Sequence, residues 1–211
     1  MPRIAEARLP AEPSSKLQWE KYRRMLDTAR ALASENEFDK VQMHDVAKQA
    51  GIAIGTLYRY FPSKTHLFVG VMAREVEQLR ERARDGRSVV PPEEAVAALS
   101  VRALQALMRR PQLAAAMVYS LNTAHVDRVL DSARVDAAFN DAVWEAARIV
   151  EPTGDDERLV RLFIHQLFGV LQSCLNGHVS IATAEEDLAW SCRLLLHSLS
   201  SAVEWREEHH V

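Results

Sequence analysis

Between residues 15 and 36 the apolar side chains fall at steps of three and four: Trp19, Tyr22, Met25, Leu26, Ala29, Leu32 and Ala33. An α-helix completes a turn about every 3.6 residues, so this spacing lines one face and predicts an amphipathic helix, with Ser15 placed to cap it. The same period returns in two short patterns, about 43–50 and 54–60, on either side of Gly51. It returns again over 64–84, where Ser63 is the predicted N-cap and Leu67, Phe68, Val71, Met72 and Leu79 space out the faces. Residues 86–92 (GRSVVPP) combine glycine, serine and a proline pair and predict a break. Beyond it, helical patterns run at about 93–109, 112–122, 125–150, 156–178 and 184–206, with Pro111 dividing the first two and the run EPTGDD the third from the fourth. Residues 1–14 hold three prolines and no apolar period, which predicts a disordered arm whose two arginines could reach a minor groove. The fold class read from these patterns is all-α. Its expected units are an arm at 1–14, a three-helix unit at 15–63, a larger helical domain at 64–206 and a tail at 207–211.

Composition agrees, since 48% hydrophobic residues, 26% charged residues and only 7 glycines in 211 positions favour packed helices over sandwiches or disorder. No run approaches the roughly 18 uncharged apolar residues of a membrane span, and charges pepper the first thirty positions, so neither a span nor a secretory leader fits. The expectation is a cytoplasmic protein with no membrane partner. Two cysteines, Cys174 and Cys192, are too few for a disulfide scaffold and read as buried free thiols. The net charge of −3 hides an asymmetry: residues 1–88 carry 16 basic against 12 acidic side chains, and residues 89–211 carry 10 against 17. A mildly basic N-terminal part beside an acidic remainder suits a protein whose first part faces a polyanion.

The stretch VQMHDVAKQAGIAIGTLYRYFPSK, residues 41–64, carries the chemistry. Two helices of about two turns joined through a glycine make a helix-turn-helix pattern. Its demands can be checked singly. Ala47 must be small where the second helix crosses, Gly51 must supply a positive φ, and Val46, Ile52 and Leu57 must bury the inner faces. The outer face of the second helix then presents Thr56, Tyr58, Arg59 and Tyr60, hydroxyl and guanidinium groups suited to phosphates and base edges. A plain αα-hairpin in which Tyr58 and Tyr60 merely pack is the alternative reading of the same spacing. Elsewhere, Cys174 and His178 stand four apart at a metal-compatible spacing, but no second pair completes a ligand set. Nucleophile-elbow, zincin and phosphate-loop motifs are absent from the sequence, so it implies no catalytic residues, metal or cofactor, and no enzyme.

The same stretch, followed by HLF and preceded by the helix at 15–36, resembles the DNA-binding signature of the TetR family of bacterial transcriptional regulators, across residues 25–68. The resemblance implies that Gln42 and His44 reach phosphates, and at times bases, from the start of the second helix. It puts base contacts at Ile54, Gly55 and Thr56, backbone contacts at Tyr58 and Tyr60 beside Arg59, and a phosphate contact at Lys64. Two departures stand out. Gln42 and Ala53 replace the usual capping hydroxyl, worth about 0.5–2 kcal/mol at a helix start, and Ile54 offers an apolar group that suits a thymine methyl.

Family architecture further implies a homodimer formed through the last two long helices, a pseudo-palindromic double-stranded operator, and a small-molecule effector. Apolar width over 156–178 beyond one core stripe agrees with a second buried face. Met108, Met117, Tyr119, Asn122, Phe139, Trp144, Phe163, Gln166 and Phe168 are candidate pocket residues, with ordinary core packing as the alternative for each. Within the family, GTLYRYFPSK and LMRRPQLAAAM look like actinobacterial regulators of sterol catabolism, which implies a hydrophobic effector such as a steroid or an acyl-coenzyme A thioester. The expected function is a ligand-responsive repressor. The rival readings are a ligand-carrying helical protein with a vestigial head and a constitutive DNA-binding protein without an effector.

Overall fold

The computed structural model describes residues 10–84, 90–124 and 132–209. Its helices are α1 (Lys16–Glu35), α2 (Met43–Gln49), α3 (Ile54–Tyr60), α4 (Lys64–Arg84), α5 (Pro92–Met108), α6 (Pro111–Thr123), α7 (Ser132–Ala147), α8 (Gly154–Leu175), α9 (Ile181–Leu195) and α10 (Ser200–His209), with a 3-10 turn at Phe38–Lys40. The protein is all-α, as its periodicity predicts. Local signals act where expected. Ser15 Oγ accepts from the Gln18 N–H at 3.3 Å, and Ser63 Oγ accepts from the His66 N–H at 3.3 Å, so each predicted cap satisfies one otherwise unpaired donor.

α1, α2 and α3 pack together, and α4 runs from them into the rest of the molecule, where it lies against α6 and α7. α5 packs on α9 and α7, and α8 on α9. A single apolar core runs through all of this, from Met25 on α1 to Ala202 on α10. Two ion pairs tie α4 to α1, Arg74 to Asp27 at 2.9 Å and Glu75 to Arg30 at 2.5 Å. Arg80, farther along α4, pairs with Asp141 at 3.1 Å and Glu145 at 2.6 Å on α7.

Four expectations are corrected. The pattern at 184–206 is two helices. Asp156, buried in the first turn of α8, accepts from the Ser200 N–H and the Ser200 hydroxyl, each at 2.9 Å, and so caps a new helix where periodicity alone would continue the old one. The same carboxylate accepts from the Thr153 N–H and hydroxyl at 2.9 and 2.7 Å, closing a capping box at the start of α8. The helix expected to 150 ends at Ala147, where Arg148 takes φ 60° and the Ile149 N–H reaches back to the Trp144 carbonyl; residues 125–131 of that pattern lie outside the described residues. Residues 10–14 of the arm are held in place, since the Ala11 N–H donates to the Arg59 carbonyl at 2.9 Å and Ala11 packs on the core. Arg3 and Arg8 lie outside the described residues. α10 also extends through residues 207–209 of the expected tail.

Candidate nucleic-acid interface and helical body

α2 ends at Gly51 for a backbone reason. Gly51 has φ 64°, its N–H bonds the Lys48 carbonyl at 3.2 Å, and the Ile52 N–H reaches the Ala47 carbonyl at 3.0 Å. This pair of hydrogen bonds is the Schellman closure, which demands the left-handed conformation that only glycine adopts without a Cβ penalty. Val46, Ala47 and Leu57 are buried beneath the turn, with Ile52 packed on the same core. Neither Gln42 nor Ala53 makes a side-chain cap, so the first-turn N–H groups of α2 and α3 keep no side-chain acceptor.

This closure fixes which side chains face outward. Gln42 and His44 on the α2 start and Ile54, Gly55, Tyr58 and Arg59 on α3 are exposed, and Thr56 is half-buried. Tyr60 departs from the expected clamp. Its ring is buried against Tyr22, with centroids 5.8 Å apart, the Arg59 guanidinium sits over it at 4.8 Å, and its hydroxyl accepts from Arg59 Nη2 at 2.9 Å. Lys64 also turns inward. Its Nζ donates to the Phe38 carbonyl at 2.7 Å and the Val41 carbonyl at 3.1 Å, 4.2 Å from the Phe38 ring centroid. Desolvation pushes the Lys64 pKa below the usual lysine value, against an opposing pull from Asp39. The ammonium therefore braces the segment that leads into α2. Sequence reasoning missed the Ala11 anchor beside Arg59, for which the sequence carries no periodic signal.

In the larger helical part, Met117, Phe139 and Phe163 are buried, and Met108, Trp144, Gln166 and Phe168 are half-buried. Phe139 and Phe168 meet edge to face at 5.2 Å. The Gln166 side-chain carbonyl accepts from the Ser191 hydroxyl at 3.1 Å, a link between α8 and α9. Tyr119 and Asn122 are placed at the surface instead. The Tyr119 ring lies 4.8 Å from Phe38, making an aromatic bridge from α6 to the 3-10 turn ahead of α2. Trp144 also lines a surface hollow of about 500 Å³ with Arg80, Glu145 and Arg148. On α8 and α9, Leu162, Ile181, Trp190 and Leu194 are exposed, between 43% and 61%, a concentration of apolar surface that water alone does not favour. Cys174 and Cys192 are buried free thiols, and burial pushes Cys192 up to about 12. No helix among the described residues is long and apolar enough to cross a membrane.

A helix-turn-helix whose second helix is bare on its outer side, set on a helical body, is the architecture of a DNA-binding transcriptional regulator. The chain belongs to the TetR family: residues 25–71 match bacterial regulatory proteins of the tetR family, and residues 90–195 match the tetracyclin repressor-like C-terminal domain. It is similar to the HTH-type transcriptional repressor KstR of Rhodococcus jostii, at 33% identity over 87% of this chain and 86% of that protein. A TetR transcriptional regulator from Rhodococcus sp. RHA1 shares 49% identity with a TM-score of 0.83, covering 88% of this chain and 100% of that one. Thermus thermophilus FadR, a TetR-family repressor solved with lauroyl-CoA, shares the fold at 22% identity and a TM-score of 0.62, over 83% of this chain and 93% of that one. The protein is thus a transcriptional repressor of the TetR type, and regulators of this family bind DNA, act as dimers and bind small-molecule ligands.

Proposed function

We propose that this repressor binds a pseudo-palindromic operator as a homodimer and leaves it when a hydrophobic thioester or steroid enters the larger helical domain, taken to begin at Lys64. The exposed face formed by Ile54, Gly55, Tyr58 and Arg59 carries the DNA half of the reading. Ile54 and Thr56 read bases, and Tyr58, Arg59, Gln42 and His44 hold the backbone. In a dimer closed by the apolar faces of α8 and α9, two copies of α3 would meet successive major grooves roughly 34–36 Å apart.

The ligand half draws on the likeness to KstR and on lauroyl-CoA in the fold relative FadR. It also draws on the large apolar side chains Met117, Phe139, Phe163 and Phe168 within one helical body. The route from ligand to DNA runs through α4, tied to α7 by Arg80 and to α1 by Arg74 and Glu75. Displacing α7 drags α4, and α4 carries the head, so the spacing of the two recognition helices changes. Linkage then requires operator and ligand to weaken each other by the same factor.

The test is an electrophoretic shift on the DNA upstream of the coding sequence, repeated with steroid and fatty acyl-coenzyme A thioesters. A specific shift abolished by one thioester is the expected result. A shift that nothing relieves points to a constitutive DNA-binding protein. No affinity above the non-specific level on any genomic fragment points to a ligand carrier with a vestigial head.

A further inference from the structure

Gly70 on α4 lies close under α1 and the chain after α3, where a Cβ would come within 3.1 Å of Phe61 Cε1 and 3.2 Å of Leu26 Cδ2. A side chain there would make these neighbours give way by a few tenths of an ångström, and beside this close approach a crevice of about 490 Å³ opens between the two helices and the start of α7. This volume is within the range of small-molecule sites, about 300–1,000 Å³. The crevice lies apart from the residues assigned to the effector above, none of which lines it.

Its walls have a definite chemistry. Leu26 and Ala73 are the apolar part of its lining, and Trp19 and Tyr22, packed edge to face at 5.6 Å, supply aromatic surface. Four cations line it, Lys16, Arg23, Arg74 and Arg134, against two carboxylates, Glu20 and Glu77. Arg74 is engaged by Asp27, whereas Lys16 and Arg23 make no ion pair among the described residues. A flat aromatic ring is the shape that Trp19 and Tyr22 favour, and a carboxylate is the natural partner of a guanidinium, which binds it through paired N–H donors. The two lining carboxylates oppose a ligand of high negative charge such as a polyphosphate, while leaving acceptors for a ligand hydroxyl.

We propose that this crevice is a second ligand site, for a planar aromatic monocarboxylate held by Arg23 and Lys16 with its ring against Trp19 and beside Tyr22. Its walls come from the head (α1), the connecting helix (α4) and the sensor (α7), so an occupant touches all three parts whose relative placement sets operator spacing. A ligand there is coupled to operator affinity without entering the interior of the larger domain.

Isothermal titration of the full-length protein with 2-naphthoate tests the site. The expected result is saturable binding at one site per chain, weakened about tenfold by Arg23→Ala and abolished by Ala73→Trp, whose indole would fill the crevice. Arg23 is exposed, so its truncation leaves folding intact; thermal melts followed by circular dichroism check both variants. Absence of saturable heat up to about 1 mM, the weak end of specific affinity, overturns the proposal. Binding that survives both substitutions unchanged places the ligand elsewhere and overturns it as well.

Discussion

Tyr58 and Tyr60 sit two residues apart on α3 in opposite environments. Tyr58 is 47% exposed and Tyr60 is 2% exposed. Tyr58→Ala is expected to change folding stability by no more than about 0.5 kcal/mol, as at most surface sites, while weakening operator binding across all DNA sequences. Tyr60→Ala is expected to destabilise the head by about 3 kcal/mol, the scale of a large-to-small aromatic truncation, and to lose DNA binding only through that loss. Denaturant titrations set beside binding isotherms separate the two effects. Lys64 is read in the same way. With its Nζ spent on two backbone carbonyls, Lys64→Ala is expected to lower stability and leave the salt slope of operator binding unchanged, whereas a lost phosphate contact would reduce that slope by about one.

At the scale of elements, Asp156 joins two helix starts that lie 44 residues apart. Burial pushes its carboxyl pKa upward, but the hydrogen bonds from Ser200 and Thr153 outweigh that, and the net pKa lies below the usual aspartate value. A carboxyl depressed in the folded state adds stability above its unfolded pKa, and that stability is lost as pH falls through the folded pKa. Asp156→Asn should therefore lower stability at neutral pH and flatten the acid limb of the stability curve below the ordinary carboxylate range, as read by urea midpoints against pH. The turn between α2 and α3 makes a parallel case. Gly51→Ala forces a Cβ into the left-handed region, at a cost of about 1–2 kcal/mol, and thermal melts should show the head destabilised by that amount.

For the molecule as a whole, α8 and α9 together expose Leu162, Ile181, Trp190 and Leu194 among the described residues. An obligate dimer of the proposed kind buries more than about 2,000 Å² and has a largely apolar centre. Trp190→Glu places a charge on that surface, where Trp190 is 61% exposed and so adds little to the fold of a single chain. Sedimentation velocity should show a folded monomer with much weaker operator binding, since one head alone spans one half-site. A variant that remains dimeric with wild-type affinity would remove α9 from the proposed interface.

Much of this was legible in the chain because it is local. Steps of three and four drew α1 through α6 to within a residue or two, Ser15 and Ser63 marked their caps, and Gly51 marked the turn, each by a rule acting within one helical turn. The same local reading produced the DNA-facing signature and, through it, the family. What lay beyond it depended on partners distant in sequence. Whether Tyr60 faces water or Tyr22, whether Lys64 points outward or at Phe38, and whether Tyr119 looks inward or bridges to the head are decided by helices packing across gaps of tens of residues. The break between α9 and α10 is of this kind too, because periodicity continues through it and only the buried Asp156 carboxylate, brought in from α8, supplies the acceptor that starts a new helix. Helix positions followed from the sequence because hydrogen bonds within a helix join near neighbours; the outward or inward choice of each functional side chain waited on tertiary structure, because burial is a property of what comes to lie opposite.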